Sequence, residues 1–253
     1  MIEDLPIPSY EEVLSKHNLR LLQEGAIDLV VENGDIAVTR WGDLRVGSLS
    51  QNGLMRLVQH WRFNEPPIRR LFMETFSMRK LLLAHREQAG RPVVIDLATF
   101  DLAEYNAAVR PTMSIDEEGG LEFGHRTYAG CVVLTLSGLL QQFKADIGAK
   151  EDEWFQSAPI HHSHSFGQVI VAAANGVRHV DEWEAARIPT EQQRASMWVL
   201  ESALRKQSVS RHHVRDVPAA ALDVLSNGGD FEHLAASLFA FADNVAVKRN
   251  ARQ

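Results

Sequence analysis

The sequence predicts an α+β fold with an N-terminal β-meander accompanied by helices and a C-terminal helical bundle. The meander is indicated by two β-rich runs within positions 27–47, joined by Asn33-Gly34, a dipeptide that favours tight hairpin turns. A second turn around positions 41–43 adds a third strand. The bundle is indicated by the segments from position 131 onward, because every periodic apolar pattern there has helical spacing.

Helices are predicted after the meander from the spacing of apolar residues. Leu54, Leu57, Val58 and Trp61 recur at helical intervals. Pro66-Pro67 is expected to end that helix and to begin another one that continues to about Gln88, since proline cannot continue a helical hydrogen-bond ladder. The sequence therefore predicts two helices in this part of the chain.

A connection separates the two halves of the chain. The stretch Ala89-Gly90-Arg91-Pro92 is expected to break the preceding helix, and positions 93–97 (VVIDL) predict one more strand. Pro111 and the pair Gly119-Gly120 make positions 99–130 loop-rich. The predicted organisation is an α+β region at 1–92, a strand and loop-rich connection at 93–130 and a helical bundle at 131–253.

Composition and charge limit the functional classes. The chain has 253 residues and a net charge of −7, which argues against coating nucleic acid by bulk electrostatics and leaves only local contacts. The acidic N-terminus lacks the basic region of a signal peptide, and the longest apolar stretch is about half of the roughly 20 residues that a membrane helix needs. We therefore expect a cytoplasmic protein without a membrane helix. Its single cysteine, Cys131, is expected to be a buried structural residue.

The segment 161–184 (HHSHSFGQVIVAAANGVRHVDEWE) has the most distinctive chemistry. Ser165 followed by Gln168 is a capping box, which predicts a helix that starts there. The apolar residues then fall on one face, at the spacing of a buried stripe: Phe166, Val169, Ile170, Ala173, Val177 and Val180. The opposite face is polar and includes Gln168, Asn175, Arg178, His179 and Glu182.

Three histidines precede this helix, and we call them the histidine turn (His161, His162 and His164). They could converge on a zinc ion, but their spacing matches no strong metal motif such as a helical H-E-x-x-H. A histidine-rich turn in contact with solvent is the favoured interpretation, so we predict neither a metal nor a cofactor.

The polar face suggests a binding or catalytic site at Asn175, Arg178 and His179. An amide, a guanidinium and an imidazole could bind one phosphate or sugar together, and an imidazole exchanges protons near neutral pH. The alternative is a solvated helix face on which Arg178 and Glu182 form an ordinary i, i+4 ion pair.

These residues resemble a known family. The stretch 174–183 (ANGVRHVDEW) is similar to the helical segment of HEPN-superfamily proteins, whose motif is an arginine, a polar residue that is often Asn, a short gap and then His. Asn175 and His179 match this spacing, whereas Ala174 stands where the family has its arginine. Arg178, one turn further on, could supply the missing charge. The resemblance covers positions 131–206 at most.

The resemblance implies a helical bundle that binds or cleaves RNA without a metal, in a bacterial stress, toxin or defence setting. His179 would take the proton of the 2′-hydroxyl group while a guanidinium stabilises the phosphate. In this family two sites meet across a dimer interface, so the resemblance implies a homodimer. The alternative, which Ala174 favours, is a non-catalytic interaction or assembly protein that retains only the helical scaffold.

Two further expectations concern binding surfaces. The edge of the N-terminal meander could pair with a protein partner, because exposed strand edges readily add another strand. The five tryptophans are spread along the chain and are expected to pack in the core or in an interface instead of forming a platform for nucleic-acid bases.

Overall fold

The protein is described by a computed structural model that covers residues 6–23, 28–39, 42–89, 115–186, 188–205 and 211–252. These residues are mostly helical, with two short antiparallel strand pairs. The prediction of a mixed fold is confirmed in this coarse sense, although the sheet is much smaller than expected. Within these ranges no helix is both long and apolar enough to cross a membrane.

The secondary structure runs as follows. The helices are α1 (Tyr10–His17), α2 (Arg20–Gln23), α3 (Leu49–Ala89), α4 (Ile115–Ile147), α5 (Glu151–Phe155), α6 (Phe166–Arg178), α7 (Val180–Ala185), α8 (Glu191–Ala203), α9 (Val217–Leu225) and α10 (Phe231–Asn250), with a 3-10 helix at Arg211–Asp216. The strands are β1 (Val31–Glu32), β2 (Asp35–Ile36), β3 (Ile160–His161) and β4 (His164–Ser165).

The N-terminal hairpin forms where the sequence predicts it. Strands β1 and β2 are antiparallel, and their turn residues Asn33 and Gly34 have φ angles of 54° and 83°. Both angles lie in the left-handed region that tight hairpin turns require and that Asn-Gly favours. The third β-rich run contributes two isolated bridges, from Val46 to Leu29 and from Leu44 to Val38, instead of a regular strand.

Helix α3 runs without a break through Pro66-Pro67, so the prediction that these prolines end one helix and begin another is wrong. The buried side chain of Glu65 bridges this point. Its carboxylate accepts hydrogen bonds from Trp61 Nε1 at 2.7 Å and from Arg69 Nη2 at 2.5 Å. Side-chain bonds and core packing therefore offset the backbone hydrogen bonds that the prolines cannot make.

Helix α4 begins at Ile115, so the predicted loop is wrong for residues 115–130. Its N-terminal half lies antiparallel along α3, where His125 Nδ1 is 2.9 Å from the carbonyl oxygen of Thr75 and Arg86 donates to Glu118 at 3.0 Å. These contacts outweigh the low helix propensity of the glycines at 119 and 120. The strand predicted at 93–97 lies outside the described residues.

Cys131 is exposed on α4, so the prediction of a buried cysteine is wrong. Its neighbours Val132, Val133 and Leu136 are fully buried, which turns the face carrying Cys131 toward solvent. An apolar run in a sequence can contain one residue on the outer side of a helix, because only one side of the helix packs against the core.

The core is built around α6, which packs against α4, α8, α9 and α10. The predicted apolar face is confirmed for Phe166, Val169, Ile170 and Ala173, which are all fully buried. Val177 is only partly buried, and Val180 lies in the next helix, α7. Large aromatic side chains from other helices complete the core, namely Trp61, Trp154, Trp183, Phe72, Phe143, Phe239 and Phe241. Helix α6 is thereby fixed on one side, and its polar face is presented beside α8.

Candidate functional site: the polar end of helix α6

The start of α6 confirms the predicted capping box. Ser165 Oγ accepts a hydrogen bond from the backbone N–H of Gln168 at 3.3 Å, and Gln168 Oε1 accepts one from the backbone N–H of Ser165 at 2.9 Å. The two bonds satisfy donors that the first turn of a helix leaves without intrahelical partners. The register of α6, and hence the direction of its polar face, is set at this point.

The histidine turn closes a small hairpin between β3 and β4, with His162 and Ser163 at positive φ angles of 45° and 76°. His162 is exposed as predicted, but His164 is only 2% exposed, so the prediction of a solvated turn is wrong for His164. Burial lowers the pKa of both His161 and His164 below the ordinary value. In the part of the chain that the structure describes, no three His, Cys, Asp or Glu side chains are placed to hold a metal ion.

The three predicted site residues lie close together at the C-terminal end of α6. Asn175 Nδ2 donates to Ser196 Oγ of α8 at 3.3 Å, and Arg178 Nη1 donates to Asn175 Oδ1 at 3.4 Å. His179 directly follows the last helical residue, and its backbone N–H donates to the carbonyl oxygen of Asn175 at 3.1 Å. The imidazole is thus held in the turn between α6 and α7.

The imidazole of His179 is paired with a carboxylate. Its Nδ1 lies 3.1 Å from Glu182 Oε2, and 45% of the histidine side chain is exposed. The alternative prediction of an Arg178–Glu182 pair is wrong, since Glu182 is bound by the histidine three positions earlier. When Nδ1 carries the proton and donates a hydrogen bond to Glu182, Nε2 has a free lone pair and can act as a base.

A cavity of about 220 Å³ opens beside this pair, between the C-terminal end of α6 and the N-terminal end of α8. Its polar lining comes from Asn175, His179, Glu182, Thr190, Gln192, Gln193 and Ser196. Two of the three predicted residues therefore share one cavity. Arg178 is exposed and is not among the residues that line it.

Four lining residues at the start of α8 were not predicted, namely Thr190, Gln192, Gln193 and Ser196. The sequence does contain a signal for two of them, because Thr190 followed by Gln193 is a second capping box. The structure bears this out, since Thr190 Oγ1 accepts from the backbone N–H of Gln193 at 3.2 Å. That signal locates a helix start, but it does not show that this start lies beside His179.

The position of Ala174 explains why it is an alanine. Its side chain is completely buried, as are those of Ala173 and Ile170 on the same helix. An arginine at this position would place an unpaired charge among apolar side chains, at a cost of several kcal/mol. The arginine of the resembled motif has no space at this position in the described fold.

A larger cavity of about 580 Å³ lies elsewhere, between the N-terminal hairpin and helices α3 and α4. Its arginines already have partners, because Arg45 pairs with Glu32 at 2.5 Å, Arg56 pairs with Asp43 at 2.6 Å and Arg249 donates to the carbonyl oxygen of Ile147 at 3.2 Å. It contains no imidazole–carboxylate pair comparable to the one at His179 among its described lining residues. For this reason the smaller cavity is the better candidate for chemistry.

Comparison of the chain with protein-family models, with curated proteins and with solved structures gave no match.

Proposed function

We propose that this protein binds RNA at the cavity between α6 and α8 and cleaves it with His179 as the base. One observation carries the proposal: Asn175 and His179 line the same cavity, and His179 is oriented by Glu182. The pairing of a histidine with a carboxylate is a common way to fix one tautomer of the imidazole for proton transfer.

The chemistry requires only groups that this chain provides. Nε2 of His179 takes the proton from the 2′-hydroxyl group, and the 2′-oxygen then forms a bond to phosphorus. The bond from phosphorus to the 5′-oxygen breaks, and that oxygen takes a proton from water. The products are a 2′,3′-cyclic phosphate and a free 5′-hydroxyl group, so no metal or cofactor takes part.

Substrate binding is supported by the polar groups around the base. The amide of Gln193 and the hydroxyl groups of Thr190 and Ser196 can hydrogen-bond to a ribose or a phosphate. The cavity also lies at the N-terminal end of α8, where the helix dipole favours negative charge. Arg178 reaches the same region through its bond to Asn175 and would supply positive charge at the rim.

The setting follows from the resemblance to HEPN proteins. We infer that the helices from residue 131 onward act as a HEPN-like bundle in a bacterial stress, toxin or defence system in the cytoplasm. The half-exposed His179 leaves room for a second copy of the chain to approach the cavity, which is consistent with a homodimer. A protein partner would contact the N-terminal hairpin, where Val31 and Val38 are largely exposed.

The test is an RNA cleavage assay with a fluorescently labelled, unstructured RNA in the presence of EDTA. We expect wild-type protein to cut it, and His179→Ala to lower the rate by about 10²- to 10⁴-fold, as removal of a general base does. The melting temperature should stay nearly the same, because an exposed side chain contributes within about 0.5 kcal/mol. His233→Ala, which removes another exposed histidine, serves as the control and should cut normally.

A second candidate is a non-catalytic interaction or assembly protein that retains the helical scaffold. It is favoured by the burial of Ala174 and by the position of Arg178 outside the cavity lining, which leave no guanidinium fixed beside His179. A wild-type protein that binds the RNA but never cuts it would support this candidate. A wild-type protein that neither binds nor cuts RNA would refute the RNA proposal and leave the assembly protein.

A further inference from the structure

The side chains that α8 contributes to the cavity share one property, which is that their oxygen atoms already accept hydrogen bonds from the protein. They therefore face a ligand with N–H and O–H donors. We propose that Thr190, Gln193 and Ser196, which we call the donor set, bind the non-bridging oxygens of a phosphate group beside His179. This inference names the group that the cavity recognises and so rests on the proposed function.

The cap of α8 fixes the direction of the Gln193 amide. Its Oε1 accepts a hydrogen bond from the backbone N–H of Thr190 at 2.8 Å. A backbone nitrogen can only donate, so the amide oxygen must face the backbone and Nε2 must face away from it. The Nε2 hydrogens have no partner among the described residues. Gln193 therefore lines the cavity with donors, while its acceptor is engaged in the cap.

A short chain of hydrogen bonds orients Ser196 in the same way. The guanidinium of Arg178, which has only donors, donates to Asn175 Oδ1 at 3.4 Å. Asn175 Nδ2 is thereby left to donate to Ser196 Oγ at 3.3 Å. Ser196 is only 8% exposed, and its own proton has no acceptor in the part of the chain that the structure describes. Because a buried donor without an acceptor costs free energy, an oxygen atom of a ligand would stabilise this hydroxyl group.

Thr190 adds a third donor at the start of α8. Its Oγ1 accepts from the backbone N–H of Gln193 at 3.2 Å, so its hydroxyl proton remains for a ligand. The dipole of this 13-residue helix also favours negative charge at the same end. Phosphate oxygens only accept hydrogen bonds, whereas each hydroxyl group of a sugar must also donate one. The donor set therefore suits a phosphate better than a ribose.

The charges at the cavity permit an anion to bind. Glu182 is the one acidic side chain among the described lining residues, and it is engaged by Nδ1 of His179 at 3.1 Å. The charge of Arg178, which is bound to Asn175, offsets that of Glu182. Protonation of His179 then makes the site positive. Hydrogen bonds from the donor set, more than net charge, are expected to hold the phosphate.

The size of the cavity limits what it can enclose. Its volume of about 220 Å³ is below the roughly 300 to 1,000 Å³ of pockets that enclose a whole small molecule. A phosphate and part of a ribose fit, but a base does not fit as well. Trp198, two positions after Ser196, lies on the opposite face of α8 and is 63% exposed, so the expected core packing of the tryptophans is wrong there. Its indole therefore gives the cavity no surface for a base, and we expect binding to be independent of the base.

The experiment compares the binding of uridine 3′-phosphate and of uridine by isothermal titration calorimetry at neutral pH. Gln193→Glu keeps the cap, because glutamate is a usual residue at this position of a capping box, but it replaces the amide donors by a carboxylate. We expect this variant to bind uridine 3′-phosphate about 10- to 100-fold more weakly and uridine as wild type does. Ser196→Ala should weaken only the phosphorylated ligand, by about 3- to 10-fold.

Gln168→Glu is the matched control. Gln168 has the same position in the capping box of α6, where its Oε1 accepts from the backbone N–H of Ser165 at 2.9 Å. It is not among the residues that line the cavity. The control therefore adds the same charge in the same local structure, and it should bind both ligands as wild type does. Adenosine 3′-phosphate should bind to wild type within about 3-fold of uridine 3′-phosphate.

The outcomes separate this proposal from catalysis by His179. If Gln193→Glu binds uridine 3′-phosphate as tightly as wild type, or loses uridine to the same extent, the donor set does not bind phosphate. An equal loss in Gln168→Glu would also overturn the proposal. A wild-type protein that cuts RNA through His179 but does not bind uridine 3′-phosphate keeps the catalytic proposal and refutes the donor set. If Gln193→Glu behaves as expected but His179→Ala cuts RNA normally, the donor set stands and the catalytic proposal fails.

Discussion

His17 makes the stability of this protein sensitive to acid. It is the last residue of α1, and its ring stacks on Phe239 of α10 with a centroid distance of 4.2 Å. Both ring nitrogens are buried, and neither has a hydrogen-bond partner among the described residues. Burial, aided by the nearby charge of Lys16, lowers the pKa of His17 from 6.5 to about 4, although Glu65 and Glu232 oppose the shift.

The sign of the effect follows from where the proton binds. Between pH 6.5 and about 4 the unfolded chain protonates His17 but the folded chain does not, so stability is lost as the pH falls through this window. The pKa difference corresponds to about 3.4 kcal/mol at about 1.36 kcal/mol per pH unit. Solvent screening of the half-buried ring reduces this to about 2 kcal/mol.

The measurement is urea unfolding of wild type and His17→Phe at several pH values from 7.5 to 4.5 (roughly the titration range of histidine). Phenylalanine keeps the stacking on Phe239 but cannot take up a proton. We expect the free energy of unfolding of the variant, minus that of wild type, to rise by about 2 kcal/mol as the pH falls across this range. His161 and His164, whose pKa values are also lowered, make the folded state less stable toward acid in both proteins. Their contributions therefore cancel in the difference between the two. A difference that stays constant with pH would refute the reasoning, and Phe123→Ala, which removes an exposed side chain without a titratable group, should show such a constant difference.

The remaining predictions concern glycines and metal. Gly167→Ala should lower stability by about 1 to 3 kcal/mol, because a Cβ atom there would lie 2.5 Å from Phe241 and 2.6 Å from Trp154. Gly138 is an exposed position on α4, and a Cβ atom added there would meet no atom within 4 Å. Gly138→Ala should therefore raise stability by about 0.5 to 1 kcal/mol. Both are measured by urea unfolding. Dialysis against a chelator should leave the melting temperature unchanged. A lower melting temperature after dialysis would contradict this and would indicate a metal bound by the histidine turn.

The elements that the sequence predicts well are those set by neighbouring residues. The capping box at Ser165, the apolar face of α6 and the turn at Asn33-Gly34 all depend on contacts within a few positions, and all are confirmed. The proximity of Asn175 and His179 follows from the same helical spacing. Local patterns therefore located the candidate site in the chain.

The errors occur where distant contacts override local preference. Pro66-Pro67 stays within α3, where Trp61 packs on Phe239 and Arg69 donates to Glu232, and the glycines near position 120 stay helical because α4 packs on α3. The burial of His164 and the exposure of Trp198 depend on how β4 meets α8, which no periodicity records. Such contacts join residues tens of positions apart, so a pattern read in a short window cannot detect them.

The contact between α2 and α10 has a consequence for biosynthesis. Arg20 Nε donates to Asp243 at 2.8 Å, and these residues are 223 positions apart. At the usual rate of translation, α10 is made about 10 to 45 s after α2. Until then the nascent chain lacks Phe239 and Phe241, two of its largest core side chains, and the apolar faces that they cover stay open to water. The core should therefore close only after α10 has been synthesised, and its open apolar faces favour aggregation until then.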